Sequence, residues 1–284
     1  MATADLRPMT LGEVLDRTFT LYREHFLLFV GIAALPNLVM LLFRFGLMLV
    51  VRGAGTGGPR LSSPGMLGGF VVGAFGSAIL LLVLIGITQA ATVSAVSDLF
   101  LGRETSVRES YASAKGHILT VIGIMVLSGL ATGIGLIFLI VPGIYLACRL
   151  AVSVPVSVAE NESPVAAMER SMELTRGYAG QMFLLLLLVM VLTYVVTILL
   201  QFPVMFFTIT AAMAKHQVSL GVTTYSYIAD FVSQAVVGPI GTISAALMYY
   251  NLRVRKEGFD IQHLMNSLNS VPRPLADAPA PGIQ

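Results

Sequence analysis

Six apolar stretches, each long enough to cross a lipid bilayer, dominate this sequence of 284 residues. A helix crosses the hydrocarbon core with about 20 apolar residues. Only 11% of the residues are charged, against roughly 25% in soluble domains, and the mean hydropathy is +0.85. This combination excludes an ordinary soluble domain. It predicts an all-α, polytopic integral membrane protein with six transmembrane helices arranged as three hairpins.

The boundaries of the six spans follow from where the apolar runs begin and end. The second and fifth spans are longer than a core of roughly 30 Å requires, so we expect tilting, a kink at Pro203, or projection from the bilayer. The turn between the third and fourth spans has two alternatives, at Pro142–Gly143 or at Gly133–Gly135, which place Arg149 at different depths. The predicted spans cover about 26–51, 66–97, 118 to this turn, the turn to 159, 182–213 and 235–250.

Lysine and arginine are distributed unequally between the two sides of these spans. With the N-terminus inside, twelve of the 17 basic residues lie in inner segments. Of the other five, three lie in outer segments, namely Arg52, Arg60 and Lys215. The remaining two, Arg44 and Arg149, lie within spans. Because cytoplasmic segments carry the excess of basic residues in multi-pass proteins, this bias predicts that both termini are cytoplasmic.

A short amphipathic helix is predicted before each hairpin, on the cytoplasmic side. Thr10–Glu13 is a Ser/Thr-x-x-Glu capping box, and Ser106–Glu109 repeats it before the third span. Ser163–Pro164 supplies an N-cap and a proline at the first helical position. We therefore predict three units, each an interfacial amphipathic helix followed by two spans. The alternative is that any cytoplasmic connector needs caps and charges.

Four segments of different composition follow one another along the chain. Residues 1–25 are predicted to be a cytoplasmic amphipathic helix and 26–250 the six-span membrane domain. Residues 251–268 are a basic juxtamembrane segment with a short helix, and 269–284 are a Pro-rich tail. The tail contains little apolar bulk, so we expect it to be disordered.

The sequence contains no recognisable catalytic, nucleotide-binding or metal-binding motif. The run Gly53–Gly58 fits a dinucleotide-binding pattern, but no strand precedes it, which favours a linker. The histidines at 25, 117, 216 and 263 are too scattered for a zinc site. Cys148 is the single cysteine, so a disulfide framework within the chain is excluded. The net charge of +2 is too small to indicate nucleic acid as a partner. We therefore predict no catalytic, cofactor-binding or metal-binding residues.

Arg149 is the most informative single residue of the predicted membrane domain. An arginine at the centre of a transmembrane helix costs about 2.5–3.5 kcal/mol on insertion scales. It therefore needs a partner, a water-filled cavity or a lipid phosphate, which a guanidinium can bind through two hydrogen bonds. The functional interpretation is a contact with a lipid or another anion. The structural alternative is an arginine that snorkels to the interface or bonds a neighbouring helix.

Other polar residues complete the set of candidate sites. Four of them lie at membrane depth, where they bond across helices or line a cavity with Arg149. Three basic residues follow the sixth span, where they set the topology or contact anionic lipids of the inner leaflet at about 1 kcal/mol per charge. The candidate lining residues are Asn37, Gln89, Thr92 and Gln201, and the candidate inner-leaflet contacts are Arg253, Arg255 and Lys256.

Four segments resemble the membrane domain of bacterial glycerophosphoryl diester phosphodiesterases and its stand-alone relatives. The resemblance runs from residue 6 to about 268, nearly the whole chain. Asn251 departs from it, because an aspartate is expected at that position. The segments are Leu6–Pro8 with Leu11–Arg17; Pro142–Tyr145 with Arg149, Pro155 and Glu160; Glu169–Ser171 with Glu173–Gly177; and Tyr249–Asp260.

This resemblance implies a membrane protein without phosphodiesterase activity. In the fused relatives a separate TIM-barrel domain performs the hydrolysis, and such a barrel needs about 250 residues. No carboxylate and histidine cluster for a metal occurs in this sequence, so the chain resembles the membrane part alone.

Two functional hypotheses follow. The first is a non-enzymatic bacterial inner-membrane protein that acts as a scaffold and recruits another membrane or cytoplasmic protein. The second is a lipid-handling or transport protein that uses Arg149 for an anionic head group. Membrane lipids are partners in both, and neither needs a cofactor.

Overall fold

The predicted fold class is confirmed. The computed structural model describes residues 8–53, 64–213 and 219–258, and within these ranges the chain is helical and contains no β strand. Six segments are long and apolar enough to cross a membrane. The helices are α1 (Leu11–Glu24), α2 (Phe26–Gly53), α3 (Pro64–Phe100), α4 (Val107–Ala114), α5 (Ile118–Phe138), α6 (Ile140–Leu150), α7 (Ser153–Glu160), α8 (Pro164–Leu174), α9 (Ala179–Met213) and α10 (Leu220–Glu257).

Helix α10 is the centre of the bundle. It contacts α1, α2, α3 and α9, and its second half is almost entirely buried. Tyr249 is fully buried, and the ring of Tyr250 stacks on Phe100 with 4.3 Å between the ring centroids. We call the end of the bundle where α1 begins and α10 ends the terminal end, and the opposite end, where α2 ends and α10 begins, the loop end.

The predicted sixth span is too short, because α10 extends beyond it at both ends. It begins at Leu220, where the Ser219 hydroxyl caps the helix by accepting from the Val222 amide at 3.4 Å. The stretch 220–234 is rich in polar residues, so its hydropathy is too low to indicate a span. In the structure it is helical, and its polar side chains bond α2 and α9. The basic segment after residue 250 is likewise the last part of α10.

The second hairpin, formed by the third and fourth spans, turns at a single residue, Leu139, which lies between the two alternatives from the sequence. Pro142 falls in the first turn of α6. The two helices touch at their glycines: a Cβ on Gly135 would lie 2.9 Å from the Cα of Gly143, and a Cβ on Gly143 would lie 2.5 Å from the Leu136 Cγ. Glycine is required there because the backbones approach too closely for a side chain.

The three predicted amphipathic helices are α1, α4 and α8. Both capping boxes are present, since Glu13 and Glu109 each accept from the backbone N–H of their N-cap residue. Ser163 makes no side-chain cap, although Pro164 opens α8 as expected. These helices face the bundle: the Tyr22 hydroxyl of α1 donates to the Val236 carbonyl at 2.5 Å. Most of Gly53–Gly58, the predicted helix within 259–268 and the tail 269–284 lie outside the described residues.

Candidate functional site

An arginine and an aspartate from two distant spans form an ion pair inside the bundle. Arg44 on α2 donates from Nη1 to Oδ2 of Asp230 on α10 at 2.7 Å. The amide nitrogen of Gln201 on α9 donates to the other carboxylate oxygen of Asp230. Both charged side chains are about one third exposed. Three helices are therefore linked by one carboxylate.

The pair lines a cavity of about 270 Å³ between α2, α3 and α10. Asn37, Tyr227 and Gln234 add polar groups to its wall, and Leu81 and Ile85 of α3 add apolar surface. Arg44 has five N–H donors, of which one is used by Asp230. The cavity thus combines a cation, a carboxylate and an apolar wall, which suits a molecule with a polar head and an apolar body.

The ion pair lies within the apolar part of the bundle, toward its loop end. Arg44 is about 27 Å along α2 from Phe26, and Asp230 is about 15 Å along α10 from Leu220. Apolar turns continue beyond the pair, where Leu47 and Leu49 are 46% and 69% exposed. Because charges within apolar spans are costly and usually functional, this pair is the strongest candidate site in the described part of the chain.

Sequence reasoning missed Asp230, although a signal for it exists. The predicted sixth span began at 235, so Asp230 was assigned to a loop. The sequence between Glu24 and Asp98 contains no acidic residue. Between Glu173 and Glu257, Asp230 is the only one. An arginine within the first span, Arg44, has no other carboxylate on its side of the membrane. Charge complementarity alone therefore pairs the two residues.

The four predicted lining residues have different surroundings. Asn37 lines the cavity, and its amide nitrogen donates to the Ala33 carbonyl of its own helix at 2.8 Å. Gln201 binds Asp230, as described above. Gln89 is half-buried on α3. The Thr92 hydroxyl is buried and has no hydrogen-bond partner among the residues described. Of the four, Asn37 lines the Asp230 cavity, and Arg149 does not contribute to that cavity.

Arg149 is bound by protein groups at the end of α8. Its guanidinium donates to the Met172 carbonyl and lies over the ring of Tyr145, 5.8 Å from the centroid. Its own carbonyl accepts from Ser171 at 2.8 Å and from Thr175 at 3.1 Å. The arrangement matches the structural alternative, in which the arginine bonds a neighbouring helix. A contact with a lipid or another anion stays a prediction.

A network of charges joins α7, α8 and α10 at the terminal end. Arg170 binds Glu160 at 3.3 Å and also Glu257, and Arg253 binds Glu257 at 3.1 Å. The Tyr249 hydroxyl donates to Glu160 at 2.8 Å. Burial lowers the pKa of Arg170, but its hydrogen bond to Glu173 and the surrounding carboxylates outweigh this effect and raise the pKa above its usual value. The network holds the end of α10 against the short helices.

The three predicted inner-leaflet contacts are all bonded to protein. Arg253 belongs to the network above, Arg255 donates to the Met9 carbonyl at 2.6 Å, and Lys256 donates to the Glu173 carbonyl at 2.6 Å. Arg253 also lines a second cavity of about 370 Å³, which contains Asp98 and Arg103. Those two residues face each other at 4.0 Å, so this cavity carries both charges.

The described residues contain no group of three or more His, Cys, Asp or Glu side chains placed to hold a metal ion. Comparison with protein-family models, with curated proteins and with solved structures gives no match for this chain. The geometry of the site therefore carries the functional conclusion.

Proposed function

We propose that this protein binds an amphipathic molecule with an anionic head group, such as a membrane lipid, in the cavity beside Arg44 and Asp230. The observation that carries the proposal is the ion pair itself, which lines a cavity among apolar helices. A phosphate or carboxylate would take the guanidinium donors of Arg44 that Asp230 leaves available. The apolar wall formed by α3 would contact the acyl chain. This role is lipid handling or transport, without a bond-breaking step.

Native mass spectrometry of the purified protein in mild detergent tests this proposal. Arg44→Gln removes the charge, and Arg149→Gln is the matched control because it removes an intramembrane arginine outside the cavity. Wild type and Arg149→Gln are expected to retain anionic lipid. Arg44→Gln should retain about tenfold less, since charge-assisted hydrogen bonds are worth roughly 1.5–3 kcal/mol.

Two outcomes would contradict the proposal. Equal retention by wild type and Arg44→Gln would show that the anionic lipid does not bind in this cavity. Loss in Arg149→Gln alone would instead assign the head group to Arg149, as the sequence first suggested.

A second candidate function is partner recruitment at the terminal end. Exposed side chains of both signs cover the outer faces of α1, α4 and α8, and such surfaces select partners through charge. Chemical cross-linking in membranes, followed by mild purification, tests this role with the double variant Arg17→Glu and Arg23→Glu. A partner lost from that variant supports recruitment, and an unchanged set of partners opposes it. The exposed residues include Asp16, Arg17, Arg23, Glu24, Arg103, Glu104, Arg108, Glu109, Lys115, Glu162, Glu169 and Arg176.

We also propose that the protein resides in a bacterial inner membrane with the terminal end in the cytoplasm. The bias of basic residues toward that end supports this orientation. Glu104, which is exposed in the link between α3 and α4, gives a direct test after substitution by cysteine in a Cys148→Ser background. An impermeant thiol reagent added outside intact cells should leave Glu104→Cys unmodified. Rapid modification would show that the orientation is the opposite of the proposed one.

A further inference from the structure

The tip of the α5–α6 hairpin is the most exposed apolar surface of the described chain. The five residues from Ile137 to Val141 are 66–84% exposed, and each is a large apolar side chain. In water such a patch would be strongly unfavourable. Something other than water must therefore cover this apolar surface, and the ion-pair cavity does not account for it.

The loops of the other two hairpins are chemically different. Arg52 lies in the last turn of α2, Arg60 lies in the sequence that connects α2 to α3, and Lys215 lies in the sequence that connects α9 to α10. From Ile118 to Cys148, in contrast, the second hairpin contains no charged residue at all. Basic or polar loops are typical of hairpins that emerge into water, and this one has none.

The hairpin is also too short to match its neighbours. Its inner end is fixed at α8, where Arg149 donates to the Met172 carbonyl and Lys256 of the terminal end donates to the next carbonyl, Glu173. From Arg149, α6 returns to the tip within 11 residues, which is about 16 Å. This distance is about half of a hydrocarbon core of roughly 30 Å, because this limb of the hairpin reaches 21 residues only together with α7, which follows after a break at Ala151–Val152.

Helix α9 starts beside the same point and continues much further. Thr175, bonded to Arg149, precedes Ala179 by four residues, or at most about 14 Å of extended chain. Helix α9 has 35 residues, which rise about 50 Å. The tip is therefore at least about 15 Å away from Met213, and α5, whose 21 residues rise about 31 Å, must approach the tip at a slant.

The backbone of the tip keeps two hydrogen bonds across the turn. The Leu139 N–H donates to the Gly135 carbonyl at 3.0 Å, and the Gly143 N–H donates to the Leu139 carbonyl at 3.3 Å. Pro142 has no N–H that would need a partner. Within hydrocarbon, backbone polar groups must be satisfied inside the protein. A one-residue turn leaves open only the first N–H groups of α6 and the last carbonyls of α5, which is fewer than a longer loop would leave.

We propose that the α5–α6 tip ends among the acyl chains of the bilayer. The hairpin then enters and leaves from the terminal end without reaching the opposite surface, so two of the six segments that are long enough to cross would not do so. The acyl chains cover the exposed side chains, which explains both the absence of charge and the short reach. The inference is independent of the lipid proposed for the Arg44 cavity, because it concerns bulk bilayer lipid.

The absence of tryptophan from the chain permits a direct depth measurement. Phe138→Trp places a reporter at the tip, and Met213→Trp is the matched control, since both positions are 80% exposed. Each variant is reconstituted into phosphatidylcholine vesicles with bromine either near the bilayer centre or near the head group. The tip reporter should be quenched mainly by deep bromine and little by aqueous iodide, and the control should show the reverse.

Thiol labelling gives a second measurement that does not depend on fluorescence. In a Cys148→Ser background, Leu139→Cys should react with an impermeant maleimide only after detergent is added. Ser219→Cys, exposed at the loop end, should react in intact membranes. If Leu139→Cys reacts in membranes as fast as Ser219→Cys, or if iodide quenches Phe138→Trp as strongly as Met213→Trp, the tip lies in water and the proposal is wrong.

Discussion

Two arginines lie within the predicted spans, and the structure gives them opposite environments. Arg44 pairs with a carboxylate from a span 186 positions away in the sequence and lines a cavity. Arg149 donates to a backbone carbonyl 23 positions away and lies against Tyr145. The first arrangement needs two charges in the right places. The second needs only a helix end, because the last carbonyls of a helix lack partners within it.

This difference teaches that depth alone does not identify a functional arginine. A residue that completes a helix end, as Arg149 does, is held by the fold and lines neither of the two cavities described above. A residue paired with a carboxylate beside a cavity keeps donors and can exchange its partner for an anion. Variants of the two arginines therefore separate structural from ligand-binding roles.

The largest effect is expected from Asp230→Leu. It leaves the Arg44 guanidinium without a carboxylate among apolar helices, and removing one partner of such a pair costs on the order of 3 kcal/mol. Unfolding by sodium dodecyl sulfate, followed by circular dichroism, measures the loss. The double variant Arg44→Met with Asp230→Leu should recover much of it, because no unpaired charge remains. A double variant less stable than Asp230→Leu would show that the pair is not coupled.

The sequence predicts the architecture well and the site poorly, for physical reasons. Hydropathy and capping boxes depend on local composition, so α1, α4 and most of the six spans follow from the chain directly. The ion pair depends on a contact between α2 and α10, and a polar stretch concealed the start of α10. The sequence identifies Arg149 as an arginine within a span, but it does not identify the partner of Arg149. That partner is the backbone carbonyl of Met172, and every residue has a backbone carbonyl.

The one-residue turn that positions Arg149 is the next most sensitive point. In Gly143→Ala the new Cβ would meet the Leu136 backbone nitrogen at 2.6 Å, and such overpacking costs about 1–3 kcal/mol. Gly133→Ala is the control, since nothing lies within 4 Å of its Cβ position, and it should be neutral or slightly stabilising. Equal loss of stability in both variants, by the same unfolding assay, would contradict the close approach of α5 and α6.

Arg149→Ala should have a smaller effect than either change. The side chain loses one charge-assisted hydrogen bond to Met172 and its contact with the Tyr145 ring. Interhelical hydrogen bonds in membranes are worth about 0.6 kcal/mol on average and up to about 1.7 kcal/mol, so we expect a loss of about 1–2 kcal/mol. Arg149→Lys should recover part of it. A loss above that of Asp230→Leu would make Arg149, and not Arg44, the more costly arginine to disturb.

The smallest effect is expected from Ser171→Ala, which tests whether the backbone or the guanidinium holds α6 to α8. The Ser171 hydroxyl donates to the Arg149 carbonyl at 2.8 Å, and Thr175 donates to the same oxygen at 3.1 Å. Because that carbonyl keeps Thr175 as a donor, the loss should be about 0.6 kcal/mol. Ser77→Ala is the control, since its hydroxyl bonds only within α3, and it should be silent. If Ser171→Ala costs as much as Arg149→Ala, the carbonyl is the main link and the charge at Arg149 becomes available for a ligand.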